Sequence, residues 1–113
     1  MTDQLTVTVG KADGRVTVLT VGGELDRDIA HVLEEAGRAA LGSGVERLVL
    51  DLGGLAFCDS SGLRTFVLLH RLAGERGASL RLAEVHPPVS TVIAVVNLDR
   101  MLALYPSVED ALA

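Results

Sequence analysis

Residues 50–63 read Leu-Asp-Leu-Gly-Gly-Leu-Ala-Phe-Cys-Asp-Ser-Ser-Gly-Leu. The apolar run within Val45–Leu52, followed by Gly53-Gly54, is typical of a short strand that is covered on both faces. We expect a short loop next, and then a helix that begins at Ser60 or Ser61 and ends near Gly74. Because open α/β sheets expose such loops at the carboxyl ends of their strands, where binding usually occurs, this stretch also marks the candidate functional site.

The segments on either side alternate between strand and helix patterns. Apolar and polar residues alternate over 5–9 and 16–21 with turn residues between them, which predicts a hairpin. Apolar residues then recur at spacings of three and four over 29–40, which predicts an amphipathic helix with Asp26 as its N-cap. Strands are predicted at 80–82 and 101–105, and helices at 89–96 and from 107 to the end of the chain.

This order, β-β-α-β-α-β-α-β-α, predicts an α/β fold in which a mixed sheet is packed against helices. A length of 113 residues suits a single domain over residues 1–113.

The composition narrows the class of function. A net charge of -5 leaves no basic stripe for nucleic acid, and an aromatic content of 3% provides few platforms for stacking bases. Cys58 is the only cysteine, which excludes a disulfide framework and fits a reducing cytoplasm. We expect no membrane partner, because no window reaches the roughly 18 continuous apolar residues of a membrane span.

No cofactor or metal site is expected either. One cysteine and three scattered histidines do not make a metal-ligand cluster. The sequence also lacks the glycine-rich motifs that bind nucleotide phosphates.

The paired serines carry the most chemical information. The first N–H groups of a helix have no intrahelical partner, and the helix dipole adds partial positive charge at the same place. A phosphate on Ser61 is therefore expected to be tolerated by the fold, with Gly62 leaving room beside the hydroxyl. Asp59, Ser60 and Ser61 before an apolar helix are also ordinary capping residues, so this pattern alone leaves both interpretations open.

Two enzyme-like interpretations fit poorly, and we expect the protein not to be an enzyme. The nucleophile elbow of serine hydrolases requires a glycine where Asp59 stands. Asp51 ends a buried strand as the phosphoacceptor of a receiver domain would, but receivers also need an acidic pair after the first strand. Here Lys11-Ala12-Asp13-Gly14 occupies that position.

The segments Asp51-Leu52 and Phe57–Leu63 resemble the signature of STAS domains, and within them of bacterial anti-sigma factor antagonists. Gly23–Asp26 resembles the second signature of this family. The resemblance covers nearly the whole chain and implies a mixed sheet of four or five strands with about four helices packed on it.

The resemblance also implies a mechanism. Ser61 would be the phosphoacceptor, the kinase would be a partner anti-sigma factor that uses ATP, and a phosphatase would reset the system. Asp59, Ser60 and Gly62 would support the phosphorylation loop. The unphosphorylated protein would bind the anti-sigma factor and release the sigma factor. The alternative is a STAS-like scaffold for a transporter or a signalling complex, without phosphorylation.

Three further residues are candidates for binding the partner: Asp26, Leu63 and Arg64. The resemblance places Asp26 near the phosphorylation loop. Arg64 is expected one turn into the helix, where it either pairs with a Ser61 phosphate or is simply solvated. The helix from Leu63 to Leu72 is apolar over more than one stripe, which indicates either a binding surface or burial on two sides.

Overall fold

The strands and helices follow the order predicted from the sequence. A computed structural model describes residues 5–113. Its elements are β1 (Thr6–Ala12), β2 (Val16–Leu25), α1 (Ala30–Gly42), β3 (Arg47–Cys58), α2 (Ser60–Glu75), β4 (Ser79–Ala83), α3 (Val89–Val95), a single 3-10 turn (Leu98–Arg100), β5 (Ala103–Tyr105) and α4 (Val108–Leu112).

All five strands belong to one mixed sheet in the order β1-β2-β3-β4-β5. The hairpin partners β1 and β2 are antiparallel, whereas β2, β3, β4 and β5 run parallel to one another. The carboxyl ends of these four strands therefore lie at one edge of the sheet, and we call this edge the rim.

The predicted end of the central strand is wrong, because β3 does not stop at Leu52. It continues to Cys58 by pairing with the last residues of β2, so that Cys58 lies opposite Leu25. Gly22 and Gly54 face each other across this pair, and a Cβ on Gly54 would lie 3.4 Å from Gly22 Cα. The glycines that indicated a loop instead permit close approach and two irregularities in the ladder.

Leucine and valine side chains fill the main core between the sheet and the helices α1, α2 and α3. In α2 the side chains of Leu63, Phe66 and Leu69 are buried, and those of Val67, Leu68, His70 and Leu72 are half-buried. A Cβ on Gly37 of α1 would lie 2.6 Å from Leu69, so this glycine allows the two helices to pack closely. The broad apolar arc of α2 thus reflects packing against both the sheet and α1.

The opposite face of the sheet is covered much less. A second, smaller cluster there contains Val18, Val49 and Ala83 of the sheet and Ala111 of α4. Arg81 fixes this helix by donating hydrogen bonds to the carbonyl oxygens of Ala111, at 2.8 Å, and Ala113, at 3.0 Å. Within residues 5–113, no helix has the length and apolar character needed to cross a bilayer.

Candidate functional site

Two loop segments meet at the rim and form a shallow depression of about 270 Å³. One segment follows β2, and the other is the junction of β3 with α2. The lining residues are Asp26, Arg27, Asp28, Asp59, Ser60 and Ser61. The geometry thus brings Ser61, with Asp59 and Ser60, together with Asp26, which is more than thirty positions away in the sequence.

Asp59 is the single residue between β3 and α2, and its side chain caps the helix. Its Oδ1 accepts hydrogen bonds from the backbone N–H of Ser61, at 2.9 Å, and of Gly62, at 3.1 Å. Its carbonyl oxygen accepts from Leu63 N at 3.0 Å. The prediction that the first amides of α2 are unpaired is therefore wrong for Ser61 and Gly62, because a carboxylate of the chain itself already accepts their hydrogen bonds.

The same carboxylate reaches the other segment of the site. Asp59 Oδ2 accepts a hydrogen bond from Arg27 N at 3.0 Å. Asp59 N in turn donates to Leu25 O at 3.1 Å. Asp59 therefore ties the segment after β2 to the N-terminus of α2.

Asp26 does not cap α1, contrary to the prediction from the sequence. The helix begins at Ala30, and Ile29 occupies the N-cap position without a side-chain cap. Asp26 Oδ1 accepts from Asp28 N at 3.0 Å, and Asp26 O accepts from Ala30 N at 2.9 Å. Asp26 therefore closes a turn that precedes the helix, and we call residues 26–28 the acidic turn.

The two serines differ in exposure. Ser60 is exposed, whereas Ser61 is half-buried, and both line the depression. Thr65 Oγ1 donates to Ser61 O at 3.0 Å and so braces the first turn of α2. The side chain of Ser61 is thus reachable from solvent but sits on a fixed backbone.

Gly62 has a packing role that the sequence did not indicate. A Cβ at this position would lie 2.6 Å from Cys58 Sγ and 2.8 Å from Leu25 Cγ. The missing side chain therefore gives room to the ends of β2 and β3 in the core.

The next two residues of α2 point in different directions. Leu63 belongs to the main core and is only 7% exposed, so little of its side chain is available to a partner. Arg64 is exposed and forms no ion pair with another described residue.

Cys58 is a buried core residue with a free thiol. Burial raises the pKa of this thiol to about 12, and the neighbouring charge of Asp59 acts in the same direction. The thiolate, which is the reactive form, is therefore scarce at neutral pH.

Sequence reasoning missed two contributions to the site. The backbone N–H of Arg27 is one, since nothing local indicates that it bonds to Asp59. The other is Phe57, which is 44% exposed and lies in β3 two residues before Asp59. Strand alternation could not have found it, because Ala56 and Phe57 are both exposed between the buried residues Leu55 and Cys58. Among residues 5–113 no cluster of histidine, cysteine, aspartate and glutamate could hold a metal ion.

Comparisons with known proteins agree with this architecture. Residues 9–104 match a family described as Mlab, STAS domain. The anti-sigma-F factor antagonist RsfB of Mycobacterium tuberculosis is 32% identical over a match that covers 97% of this chain and 88% of RsfB.

Two solved structures share the fold. The crystal structure of an anti-sigma factor antagonist from Mycobacterium paratuberculosis has a TM-score of 0.86 and 31% identity, covering 96% of this chain and 92% of the other. The anti-sigma factor antagonist SpoIIAA in its unphosphorylated form has a TM-score of 0.75, and the match covers 95% of this chain and 93% of SpoIIAA. At 20% identity this second likeness concerns the fold alone.

Proposed function

The chain belongs to the STAS domain family, and on that premise we propose that it is an anti-sigma factor antagonist switched by phosphorylation of Ser61. The unphosphorylated protein binds an anti-sigma factor, which is also the serine kinase, and releases the sigma factor. The kinase transfers the γ-phosphoryl group of ATP to Ser61 Oγ, with release of ADP and the hydroxyl proton. A phosphatase reverses the modification, and the protein itself acts in the cytoplasm as a regulator without catalytic activity.

The position of Ser61 carries this proposal. Its side chain lines an open depression at the start of α2, where a kinase can reach it, while the backbone around it is held by Asp59 and Thr65. Relatives that are named as anti-sigma factor antagonists match nearly the full length of the chain, which supports the same class of partner.

Charge accounts for the proposed loss of binding. The depression is lined by three aspartates, Asp26, Asp28 and Asp59, and by one arginine, Arg27, and a phosphate adds a further charge of about -2. A partner that covers the depression must bury this charge, which costs several kcal/mol when it is left unpaired. A loss of about 3 kcal/mol corresponds to roughly a hundredfold weaker binding.

The isolated protein can accommodate the same phosphate more easily. The exposed side chains of Arg27 and Arg64 form no ion pair with other described residues. Arginine forms strong charge-assisted hydrogen bonds with phosphate, and water solvates the rest of the group. The modification is therefore expected to remove partner affinity without unfolding the domain.

Phosphorylation with the cognate kinase and ATP, followed by mass spectrometry, tests the acceptor directly. Ser61→Ala should abolish incorporation and bind the anti-sigma factor constitutively. Ser60→Ala is the matched control, because Ser60 is the more exposed of the two hydroxyl groups and should still allow full labelling of Ser61. Incorporation that persists in Ser61→Ala and disappears in Ser60→Ala would refute the assignment.

Capture of partners from the native cell distinguishes the two classes of function. Recovery of an ATP-binding anti-sigma factor with the Ser61→Ala protein, and its loss with Ser61→Asp, supports the proposal. Recovery of membrane transport proteins alone, unaffected by either variant, supports the scaffold alternative.

A further inference from the structure

One carboxylate serves both segments of the candidate site. Asp59 Oδ1 holds the N–H groups of Ser61 and Gly62, and Asp59 Oδ2 holds the N–H group of Arg27. The three donor–acceptor distances lie between 2.9 and 3.1 Å, as expected for good hydrogen bonds. The start of α2 and the acidic turn therefore share a single acceptor group.

A phosphate on Ser61 competes with this acceptor. It is tethered to the residue whose own N–H bonds to Asp59, and helix N-termini bind phosphate through these same amides. Two anions that seek the same donors at short range also repel each other. The Asp59 carboxylate and the phosphate therefore cannot both keep their best positions.

We propose that the Asp59 carboxylate couples phosphorylation of Ser61 to the acidic turn. The phosphate takes over the amides of Ser61 and Gly62, the carboxylate rotates away from them, and Arg27 N loses its acceptor. The acidic turn then loses its attachment to α2. This inference rests on the proposed phosphorylation, and it assigns Asp59 as a positioning residue that acts through its backbone partners.

The coupling extends the proposed switch beyond charge alone. Asp26 and Asp28 lie in the acidic turn, and they face the same depression as Ser61. A partner that contacts both segments would lose a matched surface as well as meet a new anion. Phosphorylation would thus act on residues more than thirty positions away in the sequence.

Replacing Asp59 with asparagine separates the two roles of the side chain. The asparagine oxygen can still accept from Ser61 N and Gly62 N and cap the helix. Its amide nitrogen then takes the place of Oδ2 and faces Arg27 N, where it is a donor and not an acceptor. Asp59→Asn should therefore preserve α2 and break only the link to Arg27.

Asp13→Asn provides the matched control. Asp13 Oδ1 accepts from Arg15 N at 3.0 Å and from Val16 N at 2.9 Å, in the turn between β1 and β2. This turn lies at the opposite end of β2 from the depression. The same substitution is thus made in a similar turn that phosphorylation of Ser61 should not affect.

The experiment uses full chains carrying phosphoserine at position 61, installed during translation so that no kinase is needed. Amide hydrogen exchange and amide proton shifts are measured for wild type, Asp59→Asn and Asp13→Asn, each with and without the phosphate. In wild type the phosphate should accelerate exchange at Arg27 about fivefold, the factor expected for loss of one ordinary hydrogen bond. In the unmodified Asp59→Asn protein, the Arg27 amide should already exchange at this faster rate.

The decisive result is whether the effects of the phosphate and of Asp59→Asn on the exchange rate of the Arg27 amide add. In Asp59→Asn the phosphate should cause little further change at Arg27, whereas Asp13→Asn should behave as wild type. An unchanged Arg27 amide in phosphorylated wild type, or an equal acceleration in Asp59→Asn, would overturn the coupling. Partner binding is measured separately, so that phosphate-dependent release with an unchanged Arg27 amide would refute the coupling and leave the proposed function intact.

Discussion

Replacing Gly62 with alanine tests how closely α2 packs on the ends of the two central strands. The new Cβ would lie 2.6 Å from Cys58 Sγ and 2.8 Å from Leu25 Cγ. Both neighbours are buried and lie side by side on adjacent strands, so neither can move away without disturbing the core. The substitution must therefore shift the first turn of α2 or strain its neighbours.

The expected loss of stability follows from two opposing effects. Overpacking of a core costs about 1–3 kcal/mol, and contact with two buried side chains places this site near about 3 kcal/mol. Alanine is favoured over glycine within a helix by about 1 kcal/mol. The net decrease in the free energy of unfolding is about 2 kcal/mol, which lowers Tm by about 8 °C for a domain of this size.

Thermal and urea unfolding, followed by circular dichroism, measure this change. Gly74→Ala is the matched control, because Gly74 lies in the same helix and a Cβ there meets no atom within 4 Å. This control should gain up to about 1 kcal/mol from helix propensity alone. Adding Cys58→Ala to the Gly62→Ala protein should recover part of the loss, since it removes the sulfur, which is the nearest of the clashing atoms. A Gly62→Ala protein as stable as the Gly74→Ala protein would refute this account of the packing.

Three further outcomes are expected. Because the folded pKa of Cys58 is raised to about 12 from 9.0, the unfolded chain loses this proton first as pH rises. The free energy of unfolding should fall through that window, with a smaller fall in Cys58→Ala, and a maleimide should label the native thiol only slowly at pH 7. Ser107→Ala removes the cap that accepts from Asp110 N at 3.0 Å, and it should cost about 1 kcal/mol in urea unfolding. Glu46→Gln breaks an ion pair with Arg15 that is largely exposed, so the midpoint of urea unfolding should hardly change.

Hydrophobic patterning, together with the turn residues between segments, was sufficient to predict the element order. It failed at the extension of β3, where the decisive contacts join Gly54–Cys58 to Gly22–Leu25 of a strand distant in the sequence. Paired glycines are equally compatible with a turn and with close backbone approach, and only the tertiary pairing distinguishes the two.

The two aspartates of the candidate site illustrate the same limit. Asp26 and Asp59 both precede apolar helical patterns, and both are good capping residues by type. Asp59 caps α2 because β3 leads directly into that helix, whereas residues 26–28 form a turn before α1 begins. The choice of Ser61 as acceptor came from a family resemblance, and its phosphorylation stays a prediction.

Three helices cover one face of the sheet and only α4 covers the other, which implies that the two faces can unfold separately. Helix α4 has only five residues, too short to remain helical by itself, and it depends on its small cluster and on the hydrogen bonds from Arg47 and Arg81. Its transient detachment would uncover Val18 and Val49 and leave the three-helix face intact. Helix α4 is thus expected to be a region of low local stability that is separate from the candidate switch, and proteolysis is expected to begin in α4 before the rim is affected.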